Sequence, residues 1–234
     1  MKKLFFVMAG LAAATVINAQ SLDEIVKNYS AALKVDQLAK VTTIKITGKV
    51  SQMGQEMPIT MFMKNPNKVK AVISFNGQDI IQVFDGEKGY MVNPLMGSSD
   101  PVELTGDQLK QVQNNNAFSN EVLNYFKNGK LTLEGEESVN GKPAYKLKAV
   151  PEGAQPVYMF IDKGSFYLTK TITTVNQMGT SINVESYPSD YVEINGVVIP
   201  KKTTTSANGM EAGAIIFDLI EVNIPIEDSV FKIK

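Results

Sequence analysis

Three carboxylates stand close together in the sequence, at Glu134, Glu136 and Glu137. Paired carboxylates can cleave a glycosidic bond, and residues two apart share one face of a strand, as Glu134 and Glu136 would. The run lies beside a predicted hairpin turn without the pattern of a pocket, so a solvated strand edge is the favoured interpretation. Other acidic residues are dispersed and form no metal-ligand spacing: Asp162, Asp190 and Asp218.

The residue types that are missing exclude most familiar chemistry. The chain of 234 residues contains no Cys, His or Trp, and all 23 of its basic residues are lysine. Without Cys and His, the usual zinc and copper sites are excluded, as are Ser-His and Cys-His mechanisms. We therefore predict that the protein is not an enzyme and uses no metal or cofactor.

Alternating apolar side chains are the remaining candidates for function. Side chains two residues apart share a strand face. In the segment Met57–Met63, the four side chains that would share one face are all methionine or isoleucine. Thioethers adapt to varied ligand shapes, which suits a wall that accepts acyl chains, although the same residues can fill an ordinary core. The predicted cavity lining is as follows: Met57, Ile59, Met61, Met63, Val69, Ile73, Phe75, Ile81, Val83 and Tyr90.

A second group of apolar residues lies in predicted loops and helices. The stretch 94–101 is rich in Gly, Ser and Pro and presents a Leu-Met pair, which is typical of a gate or of a contact for a membrane or partner. In the alternative interpretation, this stretch is a surface loop in which Leu95 and Met96 are buried against the protein. The predicted lid or gate residues are Leu95, Met96, Phe118, Leu123 and Phe126.

The periodicity of the chain predicts a large antiparallel sheet with few helices. Ser21 and Glu24 form a capping box before a helix, and from Val41 onward the apolar spacing changes to two. Asn-Gly occurs at five positions and favours tight hairpins, which join about eleven further strands. Short helical segments interrupt the strands within residues 105–127. Because large sheets curl, we predict a mainly β (α+β) fold: an incomplete barrel whose concave face is covered by the N-terminal helix and the central helical insertion.

Residues 1–19 have the pattern of a secretory signal peptide. Lys2 and Lys3 precede an apolar segment, Leu4–Val16, that is too short to span a bilayer, and Ala19 offers a small residue for cleavage before Gln20. The sequence thus predicts a periplasmic protein with one domain, residues 20–234. A formal net charge of −1 at pH 7 argues against nucleic-acid binding. We expect a monomer.

Short motifs in a fixed order resemble a known family. In chain order they are Tyr29–Leu33, Leu38–Val41 with Thr43–Gly48, Asn65–Lys68, Asp85-Gly86 with Tyr90 and Pro94, Tyr158–Asp162, Leu168–Lys170, Tyr191 with Asn195-Gly196 and Ile199-Pro200, and Ile224 with Phe231. This order is similar to that of the LolA/LolB-like periplasmic lipoprotein localisation factors and their outer-membrane lipoprotein-sorting relatives. The resemblance covers almost the whole chain after residue 19.

The resemblance implies a half-barrel with a helical lid and a hydrophobic cavity for acyl chains. The expected function is a periplasmic binding or carrier protein for a lipid or lipidated protein, with an inner- or outer-membrane protein as a possible partner. The alternative is a periplasmic sensor or interaction module of the same fold that binds a membrane-protein partner. Neither requires catalysis.

One feature of the family is missing. Its well-known carriers hold the empty lid closed with a buried arginine on an early strand, and this chain has no arginine. Lys45 or Lys49 could take that place, but lysine lacks the planar fork of arginine, and we expect both to be solvated.

Overall fold

The computed structural model describes residues 20–52, 54–114, 117, 118, 120–153, 155–177 and 180–233. The predicted signal peptide, residues 1–19, lies outside the described residues.

Within the described part of the chain, thirteen strands form one antiparallel sheet that curls without closing into a barrel. The strands are β1 (Thr43–Gln52), β2 (Gln55–Lys64), β3 (Lys68–Phe75), β4 (Gln78–Phe84), β5 (Gly89–Asn93), β6 (Ser98–Leu104), β7 (Leu131–Val139), β8 (Lys142–Ala149), β9 (Val157–Asp162), β10 (Leu168–Gln177), β11 (Thr180–Ile194), β12 (Val197–Ala207) and β13 (Met210–Val222).

The strand order shows two meanders joined side by side. The sheet runs β6-β5-β4-β3-β2-β1-β13-β12-β11-β10-β9-β8-β7, so β1 and β13 meet in the middle and β6 and β7 form the edges. The predicted incomplete antiparallel barrel is therefore confirmed. The sequence missed β6, because this exposed strand contains Pro101 and has little apolar alternation.

In the part of the chain that the structure describes, four α-helices accompany the sheet: α1 (Leu22–Ala32), α2 (Val35–Leu38), α3 (Gly106–Asn114) and α4 (Glu121–Lys127). The predicted capping box starts α1, because the Ser21 hydroxyl accepts the Glu24 N–H and the Glu24 carboxylate accepts the Ser21 N–H. Gly89 makes room for α3, since a Cβ there would lie 2.6 Å from Leu109 Cδ1.

The helices cover the concave face of the sheet, and the main cores lie beneath them. α1 and α4 pack over β7–β9, where Leu147 and Met159 are fully buried. Residues Leu38 and Phe118 pack over the centre of the sheet, where Ile44 is fully buried.

On the outer face, the C-terminal segment covers part of the sheet. Phe231, within a 3₁₀ turn Asp228–Phe231, is buried against Val83 and Phe62. Two lysines, Lys64 and Lys68, hold the carboxylate of Asp228 at 2.7 and 3.0 Å and lower its pKa to about 2.

Candidate functional site

The candidate site is a band of apolar side chains on the concave face of β4, β3, β2, β1 and β13. Cross-strand partners point to the same face, so these strands carry parallel rows of side chains about 7 Å apart. The first row, at the covered end, contains Phe84, Val69, Met63, Ile44 and Val222. The third row contains Ile80, Ile73, Ile59, Gly48 and Phe217, and the fourth contains Phe75, Met57, Val50 and Ile215.

Burial decreases along these rows, and their side chains are apolar except for Gln82 in the second row and Gln78 in the fourth, both on β4. Every residue of the first row is less than 9% exposed, whereas Ile73, Phe75 and Met57 are half-buried and Ile215 is 38% exposed. Contiguous exposed apolar surface is typical of a binding site. We call this band the trough, and all of its residues except buried Ile59 are half-buried or exposed. Its residues are Val50, Met57, Ile59, Met61, Ala71, Ile73, Phe75, Ile80, Ile215 and Phe217.

The trough passes beneath a segment of the helical insertion at its covered end. Ala117 and Phe118 pack against the cluster that contains Met63, Val69 and Ile44. The backbone N–H of Ala117 also lies 3.3 Å from the Met63 sulfur, which can accept a weak hydrogen bond. This contact links the lid segment directly to the first row, at the covered end of the trough.

A buried polar contact joins α1 to α4. Asn120 caps α4 by accepting the Leu123 N–H at 3.1 Å, and its amide nitrogen donates to the Tyr29 hydroxyl at 3.0 Å. Burial raises the pKa of Tyr29 to about 12, so this hydroxyl stays neutral at physiological pH. Asn120 therefore fixes both the start of α4 and its position on α1.

We expect Asn120→Ala to lower the free energy of unfolding by about 2 kcal/mol, since it removes a helix cap and leaves the buried Tyr29 hydroxyl unpaired. Urea unfolding measures the loss. In Tyr29→Phe, which lacks the hydroxyl, the same Asn120→Ala change should cost only about 1 kcal/mol. Equal costs in both backgrounds would show that the two side chains are not coupled.

The structure places seven of the ten predicted lining residues on one face. The register from β1 to β3 puts them together on the concave face: Met57, Ile59, Met61, Met63, Val69, Ile73 and Phe75. Whether they bind a lipid stays a prediction.

Three predicted lining residues, Ile81, Val83 and Tyr90, lie on the outer face, so the expectation of a common face is wrong for them. Ile73 pairs with Ile80, which turns Ile81 to the other side, and Tyr90 pairs with Val83. Val83 and Tyr90 instead pack under the C-terminal segment. The sequence correctly predicts that side chains alternate along β4, but it does not show which of them share a face with Ile73 and Phe75 of β3.

The predicted lid residues lie in three different places. Phe118 covers the first rows, whereas Leu123 and Phe126 pack against α1 in the other main cluster. Leu95 and Met96 lie in a 3₁₀ turn, Pro94–Met96, where they are 50% and 75% exposed. Only Phe118 among these five is packed against the cluster at the trough.

Sequence reasoning missed several trough residues: Val50, Ile80, Ile215 and Phe217. A local signal existed for Ile80, because the two-residue turn Asn76-Gly77 pairs Phe75 with Gln78 and hence Ile73 with Ile80. No local signal existed for Ile215, since β1 and β13 are far apart in sequence.

The two lysines considered as a replacement for the missing arginine point away from the lid. Lys45 pairs with Glu221 at 3.1 Å and Lys49 with Glu56 at 2.7 Å, and both lysines alternate with the concave side chains of β1. The expectation that they are solvated agrees with their exposure of 32% and 36%.

The acidic run forms ion pairs and no catalytic arrangement. A bulge between Leu133 and Gly135 breaks the alternation of β7, so Glu134 and Glu136 lie on opposite faces, contrary to expectation. Each carboxylate contacts a lysine: Glu134 with Lys148, Glu136 with Lys163, and Glu137 with Lys146. Among the described residues, no three acidic side chains are placed to hold a metal ion.

A groove of about 840 Å³ on the sheet differs from the trough because charged side chains contribute to its lining. Its lining includes Lys142, Asp162, Tyr187 and Lys202. Beside it, Lys170 pairs with Glu185 at 2.9 Å. Separately, none of the helices in the described ranges is long and apolar enough to cross a membrane.

Comparison with known proteins identifies the fold. No protein-family model and no curated protein sequence matches the chain. Among solved structures, a domain from Vibrio parahaemolyticus described as an outer membrane lipoprotein-sorting protein is similar over 90% of this chain and 95% of its own, at 11% identity and a TM-score of 0.60. A LolA superfamily protein from Nitrosomonas europaea is similar over 92% and 98%, at 13% identity and a TM-score of 0.58.

A third structure, a DUF1329 family protein from Desulfovibrio piger, is similar over 89% of this chain and 97% of its own, with 14% identity and a TM-score of 0.59. These similarities span nearly the whole of each chain. The expected resemblance is therefore confirmed at the level of the fold: the chain is a LolA-like half-barrel with a helical cover.

Proposed function

We propose that this protein binds a lipid, or the lipid moiety of a lipoprotein, in the periplasm and holds an acyl chain in the trough. The observation that carries the proposal is the continuity of the trough. Its apolar rows run from the covered end beneath Phe118 to half-exposed Ile73, Phe75 and Ile215. Four strand spacings from β4 to β13 give it a width of about 19 Å.

Partition supplies the driving force for binding. Each methylene removed from water contributes about 0.8 kcal/mol, so a chain of about 16 carbons gains roughly 12 kcal/mol in a dry site. A bilayer offers nearly the same gain, and exchange between membrane and protein is therefore close to balanced. The direction of lipid transfer is then set by partner proteins or by movement of the lid segment.

No covalent chemistry is part of this function. The chain lacks Cys and His, and the carboxylates once considered for catalysis are paired with lysines. The protein acts by binding and release, as an exported monomer that meets its cargo at an inner- or outer-membrane surface.

A pair of neighbouring substitutions on β3 tests the site. Ile73 lies in the trough, and Val72, also half-buried, points to the outer face. Ile73→Glu should weaken binding of a fluorescent palmitic-acid analogue at least about tenfold, since a carboxylate in the trough must lose water against the acyl chain. Val72→Glu should leave the affinity within about twofold. A fluorescence titration measures both.

Circular dichroism of both variants separates loss of binding from loss of structure. Equal weakening by the two substitutions would contradict a site on the concave face. If the unsubstituted protein binds no acyl probe, the carrier function is wrong, and capture of a single stoichiometric membrane protein from an envelope extract would then favour the interaction module.

A further inference from the structure

We propose that one rim of the sheet docks onto the surface of a zwitterionic phospholipid bilayer. In a meander, alternate turns lie on the same rim. Five consecutive connections on one rim, from β6 across to β10, run from residue 52 to 55, 75 to 78, 93 to 98, 177 to 180 and 207 to 210. We call the described residues of these five connections the uncharged rim.

The uncharged rim contains no Asp, Glu or Lys, and it includes the methionines Met96 and Met210. On the opposite rim, four of the five connections contain charged residues, 64–68, 84–89, 139–142 and 162–168, and the fifth, 194–197, contains none. On the first rim, the next turn beyond β10 carries Glu152, which pairs with Lys130. Charge is therefore excluded from one continuous stretch of the rim.

The side chains with the greatest exposure among large apolar residues lie on this rim. Met96 is 75% exposed and Met210 is 73% exposed, while Leu95 beside Met96 is 50% exposed. Val175 and Ile215, two and five residues behind their turns, are 42% and 38% exposed. Exposed apolar side chains concentrated in this way mark an interaction surface.

Polar groups of the turns find partners within the protein. Asn93 Oδ1 accepts the Leu95 N–H at 3.2 Å, and the Gly97 N–H donates to the Pro94 carbonyl at 3.1 Å. Asn208 exchanges hydrogen bonds with the backbone of Asn183 in the adjacent strand. Internally paired backbone can enter the bilayer interface at little cost, because it does not need water.

Charges behind the turns select the kind of membrane. Asp79 and Glu211 directly follow two of the turns, and Asp100 stands two residues behind a third, whereas Glu56 behind the β1–β2 connection is paired with Lys49 at 2.7 Å. Carboxylates close to the surface repel anionic headgroups, and the rim offers no lysine to attract them. A neutral, zwitterionic surface is therefore the matching partner.

The uncharged rim is also the mouth of the trough. Phe75 belongs to both, and Met57 and Val50 lie two residues from the first turn. This part of the inference rests on the proposed function: a rim that rests on a bilayer would place the open rows of the trough at the lipid surface, where an acyl chain can pass directly between membrane and protein.

Vesicle flotation tests the docking surface with protein purified from the bacterial envelope, in the processed form that mass spectrometry confirms. The unsubstituted protein should float with phosphatidylcholine vesicles, and its bound fraction should fall as phosphatidylglycerol is added. The double variant Met96→Gln/Met210→Gln should bind about tenfold more weakly, because both side chains lose their apolar contact.

A control variant removes exposed apolar side chains elsewhere on the sheet. Val102 and Leu219 are 59% and 53% exposed but lie outside the uncharged rim. Val102→Gln/Leu219→Gln should change flotation less than about twofold. Equal losses in the two double variants, or binding that requires anionic lipid, would overturn the proposal, as would failure of the unsubstituted protein to float.

Titration with the acyl probe in the absence of vesicles separates the two proposals. Probe binding without flotation would leave the trough assignment standing and refute the docking rim. Flotation that depends on Met96 and Met210, without probe binding, would support the rim and refute the acyl site.

Discussion

Met63→Ala should lower the free energy of unfolding by about 3 kcal/mol and yet strengthen binding of the acyl probe about tenfold. Met63 is 2% exposed and lies in the first row, where its sulfur meets the Ala117 N–H. Truncation removes buried methylenes and leaves a cavity, which explains the loss of stability. The cavity would lie beneath Phe118, against the covered end of the trough.

The gain in binding follows from the same cavity. An apolar cavity in a protein stays dry and accepts an apolar ligand. If the acyl chain extends into it by about two more methylenes, each contributing about 0.8 kcal/mol, the affinity rises about tenfold. Loss of the Ala117 contact also frees the lid segment to move aside.

Met159→Ala is the matched control. Met159 is fully buried as well, but it lies beneath α1 and α4 in the other main cluster. Met159→Ala should lower the free energy of unfolding about as much as Met63→Ala does. It should leave the affinity for the probe within about twofold of that of the unsubstituted protein. Urea unfolding and fluorescence titration measure the two quantities. If both variants weaken probe binding equally, Met63 does not border the trough.

Local sequence signals predicted the hairpins of the fold well. The Asn-Gly pairs at 76–77, 140–141, 195–196 and 208–209 all adopt positive φ at both residues and join neighbouring strands. Such turns fix the backbone within a few residues, so each hairpin can be read independently. The meander then follows from the order of the hairpins.

Relations between strands were harder to predict. Ile81 and Val83 were assigned to the wrong face because a shift of one residue in register reverses every side chain of a strand. The bulge at Gly135 likewise separated Glu134 from Glu136. Pairing between β1 and β13 completes the trough with Ile215 and Phe217, but it joins segments at opposite ends of the described chain, for which local spacing carries no information.

That central pairing depends on Gly48, and Gly48→Ala should lower the free energy of unfolding by about 3 kcal/mol. The register between β1 and β13 shifts between Thr47 and Gly48. A Cβ on Gly48 would collide with the Ile216 carbonyl oxygen and lie 2.9 Å from Phe217 Cα. Both are backbone atoms, so relief requires the two strands to move apart.

Gly164→Ala provides the control, since the nearest atom to its added Cβ is Asp162 Oδ1 at 3.4 Å, and we expect a change within about 0.5 kcal/mol. Urea unfolding gives both values. Hydrogen exchange locates the damage: amides of β1 and β13 should exchange faster in Gly48→Ala, while those of β8 and β9 keep their protection. A cost below about 1 kcal/mol would mean that β1 and β13 approach less closely at this point. Because Gly48 lies in the third row, the same separation would widen the trough between Ile59 and Phe217.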